Sequence, residues 1–186
     1  MSRKKSYSED EVIEKAMYTF WKNGYKATSV RMLEKEMGIN QFSIYASFKD
    51  KDGVFLKSLQ FYKKKLYHAM LEDLNNSENG VESIKKYFYD FLEYSKENGT
   101  YKGCLLTNSV NEIEGNEIFI AEIAQFATRI RNIFKKILAT DKNKNEQLIE
   151  KQANYLIVAL QGVSVASRML GKEQLNDFIE EVFVNL

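Results

Sequence analysis

The chain holds one cysteine, Cys104, and one histidine, His68, and they stand 36 residues apart. A thiol nucleophile needs a base within hydrogen-bond reach. A tetrahedral metal centre needs several sulfur or nitrogen ligands. One residue of each kind, in different segments, offers neither. No glycine-rich phosphate loop and no acidic cluster of metal-ligand type stands in the sequence, so no metal or cofactor is expected. A helical enzyme is therefore a poor reading, and a helical protein-binding adaptor stays open as a better alternative. Cys104 opens a short segment after Gly103, a position where a thiol can sense oxidants or electrophiles; a buried, inert cysteine is the other reading.

The stretch Gly38–Phe55 carries more information. It places Phe42, Tyr45, Phe48 and Phe55 between two runs of ordinary helical pattern. Ahead of it, Val30, Leu33 and Met37 lie on one helical face. Met37-Gly38-Ile39 then reads as a turn, with glycine where the backbone angle would cost other residues energy. Asn40 is a good N-cap for a second short helix containing Phe42, Ile44, Tyr45 and Phe48. Two short helices joined by such a turn form a helix-turn-helix, whose second helix enters the DNA major groove. A three-helix packing unit with no DNA role would look alike at this level.

The elements around this unit are helical throughout. Ser8 and Glu11 read as a capping box opening a first helix that ends at Gly24, and Thr28 or Ser29 caps the second. A long helix is expected over about 51–73, another over 81–97, a short segment over 104–112, and long helices over 117–139 and 146–170. A last helix spans 172–186. The chain has no proline among its 186 residues, which removes the strongest helix breaker. The expected fold is all-α with about nine helices. Residues 1–50 are expected to form a three-helix, helix-turn-helix head, and residues 51–186 a six-helix body. Net charge is only +1, but residues 1–58 hold 11 Lys/Arg against 8 Asp/Glu, so the head is mildly basic. No uncharged run reaches the ~18 residues of a membrane span. The start of the chain does not read as a secretory signal, so a cytoplasmic protein is expected.

The order and spacing of Ala16, Phe20, Gly24-Tyr25, Thr28-Ser29-Val30, Met37-Gly38-Ile39, Ser43-Ile44-Tyr45, Phe48, Lys51 and Phe55 resemble the DNA-binding domain of TetR/AcrR-family transcriptional regulators. The resemblance implies a dimeric repressor, released from a palindromic operator by a small molecule. It also implies site residues. Gln41, Phe42 and Ser43 would stand at the exposed start of the reading helix. Tyr45 and Lys51 would touch phosphates, and Thr28 and Arg31 would meet the backbone from the second helix. Arg3, Lys4 and Lys5 would add a basic arm. These assignments suit a division in which phosphate contacts set register and groove contacts read sequence, since glutamine can pair with adenine. Three positions depart from the family pattern. Phe42 stands where a small residue is usual, and its ring either stacks on thymine methyls or folds into the core. Glu34 replaces a packed alanine, with its stem expected to pack and its carboxylate to reach water. Ser47 replaces a histidine and can still donate to a phosphate.

In the body, 146–170 is apolar on nearly every side from Ala153 onward, so two faces must be covered. The last helix shows Leu175, Phe178, Ile179, Val182, Phe183 and Leu186 at 3–4 spacing. Residues 146–186 are therefore expected to form a four-helix interface between two copies of the chain. The Gly103-Cys104-Leu105 segment resembles one branch of the family, in which it opens the helix beside the ligand pocket. That resemblance implies Cys104, Asn108, Glu112, Phe126 and Tyr155 as pocket-lining candidates for an unidentified effector.

Overall fold

Short side chains that accept a hydrogen bond stand at the starts of most of the helices in the computed structural model, which describes residues 7–97, 99–184 and 186. The expected basic arm, Arg3, Lys4 and Lys5, lies outside them. Helix α1 (Glu9–Asn23) begins where Ser8 Oγ accepts the Glu11 N–H, with Glu9, Asp10 and Glu11 in its first turn against the helix dipole. Helix α2 (Val30–Met37) is capped by Ser29, which accepts the Met32 N–H at 3.2 Å. It stops at Gly38, whose left-handed φ of 71° lets its N–H return to the Glu34 carbonyl at 3.0 Å. Helix α3 (Gln41–Phe48) is opened by Asn40, accepting from Ser43 N–H at 2.9 Å.

Helix α4 starts at Lys51, under an Asp50 cap, and runs as regular helix to Leu66. It then widens into one π turn, Tyr67–Leu71, and resumes as Glu72–Asn76. The hydrophobic pattern alone predicts one uniform helix ending near Asp73. Helix α5 (Val81–Tyr94) stops short of its expected end. Lys96–Glu97 (β1) pairs antiparallel with Thr100–Tyr101 (β2), and the Lys102 N–H closes the hairpin on the Ser95 carbonyl at 2.8 Å. Two residues per strand are too few for a readable alternation, which is why the pattern passes for a helix end. Helix α6 (Leu105–Ser109) continues into a 3₁₀ turn, Val110–Glu112. Helices α7 (Glu117–Leu138), α8 (Glu146–Ala166) and α9 (Lys172–Phe183) complete the body. With α4 and its π turn taken as one, the described residues form nine helices, so the all-α reading holds. No helix among them is long and apolar enough to cross a membrane.

One core runs through head and body. Ala16, Phe20, Leu33, Met37, Ile44, Phe48, Val54 and Phe55 close the head. The Phe20 and Phe55 rings meet edge to face at 4.9 Å, and Phe55 meets Phe119 of α7 in the same way at 5.0 Å. Helix α4 is thus a floor for the head at one end and a wall of the body at the other. In the body α7 packs on α8, and α9 crosses α5 with the Phe88 and Phe183 rings 5.2 Å apart.

Candidate nucleic-acid interface

An eight-residue helix with one buried side must send its other residues to solvent. In α3, Ile44 and Phe48 face the core, while Phe42 is 81% exposed and Tyr45 is 42% exposed. Phe42 therefore does not fold back. Gln41 lies on the same outer face and donates its side-chain N–H to the Tyr45 hydroxyl at 2.9 Å. Arg31, from α2, is exposed nearby in sequence order.

Other contacts set the angle of this helix. Glu34 accepts the Gln41 backbone N–H, so its carboxylate holds the first turn of α3 and does not simply reach water. That N–H is one of the orphan donors every helix start carries. On the other flank Tyr7 shares a 2.6 Å hydrogen bond with Ser47 Oγ, and its hydroxyl reaches the Ser43 carbonyl at 3.4 Å. Ser43 and Ser47 are consequently half-buried and engaged within the protein. The sequence pattern does not single out Tyr7, although an apolar ring just before a cap residue is a recognisable position.

Two backbone-contact candidates sit deeper than expected. Thr28 is 1% exposed, and its hydroxyl donates to the Gly24 carbonyl at 2.6 Å; the cap of α2 belongs to Ser29. Lys51 donates to the carbonyls of Tyr25 and Thr28, at 3.1 and 3.3 Å, and its ammonium lies 4.2 Å from the centre of the Tyr25 ring. The Tyr25 hydroxyl in turn donates to Asp52, and burial together with that carboxylate pushes its phenol well up. Lys51, half-buried, therefore ties the α1–α2 loop to the start of α4.

The five pocket candidates divide. A cavity of about 440 Å³, counted with its open mouth, lies between α4, α5, α6, α7 and α8. Cys104 and Phe126 line it, along with Leu106, Ile130, Leu160 and Gln161. Asn108 is not on its wall and instead donates to the Lys102 carbonyl at 2.8 Å. Tyr155 is 50% exposed on the outer face of α8. Glu112 points away, toward the head, where it accepts the Lys26 backbone N–H. Two tyrosines that the sequence pattern presents as plain core also belong here. The Tyr62 hydroxyl is buried against the Cys104 thiol and the Leu105 backbone; Tyr87 lines the cavity, and its hydroxyl is buried without a hydrogen-bond partner. Such a group costs on the order of 1–3 kcal/mol.

Residues 12–57 match the family model described as bacterial regulatory proteins, tetR family. The chain is 27% identical over 173 residues to the HTH-type transcriptional repressor ComR of Escherichia coli (strain K12), an alignment covering 89% of this chain and 82% of that protein. It is 22% identical over 108 residues to IcaR, the negative regulator of the biofilm operon icaADBC in Staphylococcus aureus, with 58% of each chain aligned. Among solved structures, a cysteine mutant of the TetR-family regulator CifR in complex with 26-bp operator DNA superimposes with a TM-score of 0.82 at 19% identity, over 97% of both chains. The reduced form of Escherichia coli NemR superimposes with a TM-score of 0.81 at 19% identity, over 94% of both.

Proposed function

We infer that this chain is a TetR-family transcriptional regulator, a DNA-binding protein and not an enzyme, whose affinity for its operator responds to a small molecule. The observation that carries the reading is the outer face of α3. Gln41, Phe42 and Tyr45 stand in water on a helix whose other side is locked into the core. Phe42 sets an apolar ring beside the polar groups of Gln41 and Tyr45, and a thymine methyl in the major groove is an apolar surface such a ring can contact. Residues 1–50 act as the reading head and residues 51–186 as the body that binds the effector and the second copy. Arg31, Tyr45 and Lys51 supply backbone contacts; Ser43 and Ser47 serve chiefly to hold α3 against Tyr7.

Two half-sites one helical turn apart need two heads at fixed spacing. Tyr155, Val158, Val165 and Met169 form an exposed apolar stripe along α8 and beyond its end, and Phe178 of α9 is exposed as well. That face, in residues 146–186, is the proposed homodimer interface. By analogy with ComR and IcaR, the output is repression, and a regulator acting on DNA would work in the cytoplasm.

The test is a mobility-shift assay on DNA upstream of the chain's own gene, over a salt series. Specific binding that weakens steeply with salt is expected. Absence of binding above background at low salt defeats the reading.

A further inference from the structure

We propose that the body cavity receives an uncharged, mostly apolar molecule bearing one hydrogen-bond acceptor, such as a ketone carbonyl, which the Tyr87 hydroxyl holds with Tyr62 and Cys104 close behind. The proposal rests on the reading of 51–186 as an effector domain and names the chemistry that domain selects.

The walls are apolar side chains with Tyr87, Cys104, Thr107, Gln161 and Ser164 as the polar exceptions. No Asp, Glu, Lys, Arg or His among the described residues lines the cavity. An ionised ligand would give up its hydration there with no opposite charge to replace it. An uncharged one loses little.

The polar end is set by the tyrosines. Tyr62 is fully buried with its hydroxyl against the Cys104 thiol; Tyr87 is 2% exposed, and its hydroxyl has no partner. Native interiors rarely leave such groups unpaired. Burial pushes both phenols up, so each keeps its proton and acts as a donor. The Cys104 thiol at the start of α6 lies near both hydroxyls. The Ser164 hydroxyl is already engaged there, accepting the Cys104 N–H at 2.9 Å. The acceptor of a ligand would therefore lie toward α6, and its apolar part toward Phe126 and Ile130 of α7.

The test uses the full chain and three probes of similar shape: acetophenone, ethylbenzene and benzoate. The sole tryptophan, Trp21, has its ring 5.1 Å from that of Tyr62, so its emission reports on this end of the cavity. Acetophenone is expected to bind about tenfold more tightly than ethylbenzene, and benzoate at least about tenfold more weakly than acetophenone. Tyr87→Phe should bring acetophenone to the ethylbenzene level and leave ethylbenzene unchanged. Because it removes an unpaired hydroxyl, it should not lower the melting temperature of the free protein. Tyr62→Phe should cut acetophenone binding less. Benzoate binding as well as acetophenone, an unchanged acetophenone preference in Tyr87→Phe, or no binding of any probe at millimolar concentration each overturns the proposal. A mobility shift on the same preparation separates the two readings. Operator binding with failed probes defeats the cavity chemistry alone, and selective probe binding by a chain that ignores DNA defeats the regulator alone.

Discussion

The Glu112 carboxylate accepts the backbone N–H of Lys26 at 2.7 Å, across 86 residues of sequence. Glu112 ends the turn that continues α6, whose residues Leu106 and Thr107 form part of the cavity wall. Lys26 lies in the α1–α2 loop that Lys51 holds from the other side. Gly24 makes the contact possible: its φ is +83°, and a Cβ there would collide with the Glu112 carboxylate. Glu112→Ala is expected to cost about 1–2 kcal/mol, and Gly24→Ala at least about 1 kcal/mol. The double variant should cost less than the sum, because removing the carboxylate relieves the collision. Urea denaturation of the four proteins checks this; additive losses would mean that the two residues do not meet.

Three substitutions on the head should behave differently in DNA-binding assays. Phe42→Ala should leave stability within about 0.5 kcal/mol, as exposed positions do, yet weaken binding to the operator. Gln41→Ala should relax sequence preference. Lys51→Ala should weaken binding to all sequences and flatten the salt slope by about one unit; it should also lower the melting temperature, since it frees the Tyr25 and Thr28 carbonyls. Equal profiles for Gln41→Ala and Lys51→Ala would refute these roles.

Glu34 gives a stability prediction separable from DNA contact. Glu34→Ala removes the acceptor for the first N–H of α3 and should cost about 1 kcal/mol, as loss of a helix cap does. For a chain of this size that is a drop of about 2–4 °C in melting temperature. Glu34→Gln, which keeps an acceptor, should recover most of it.

The Glu122 carboxyl is raised by burial but lowered more by its hydrogen bonds from Lys63 and Gln60, and its net shift is downward. A depressed folded-state pKa stabilises the protein above the ordinary carboxylate range, and that contribution is lost as pH falls through the folded value. Stability should therefore decline below about pH 4.5. Glu122→Gln should start less stable at neutral pH and show a shallower acid decline, read by melting temperature between pH 3 and 7. An unchanged acid limb would remove Glu122 from the account.

Val158→Glu tests the proposed interface. Val158 is 67% exposed, so a monomer would accept the change at little cost. A dimer would have to bury the new charge. Sedimentation is expected to give twice the chain mass, 21.7 kDa, for the parent and one chain mass for the variant. Operator affinity should fall with the mass.

How much the sequence discloses depends on the range of each interaction. Ser8, Ser29, Asn40 and Asn145 act on N–H groups three residues away, so the helix starts are legible. Gly38 is legible for the same reason. Glu34, Tyr7 and Glu112 act on partners brought near only by folding, and their roles are hidden in the linear chain. Tyr155 misleads because an apolar run that faces a partner looks the same as one that faces the core. Tyr87 passes for a core ring; its unpaired hydroxyl is a property of the packed interior alone.

The π turn at Tyr67–Leu71 bears on how this chain tolerates change in length. A π turn holds an extra residue relative to the regular helix around it. Leu66 before it and Leu74 after it both still face the core. The turn thus takes up an insertion without rotating the far end of α4 out of phase. Deleting one residue within 67–71 should return the segment to even winding with both ends still seated, whereas the same deletion near Val54 would swing the floor of the head away from α3.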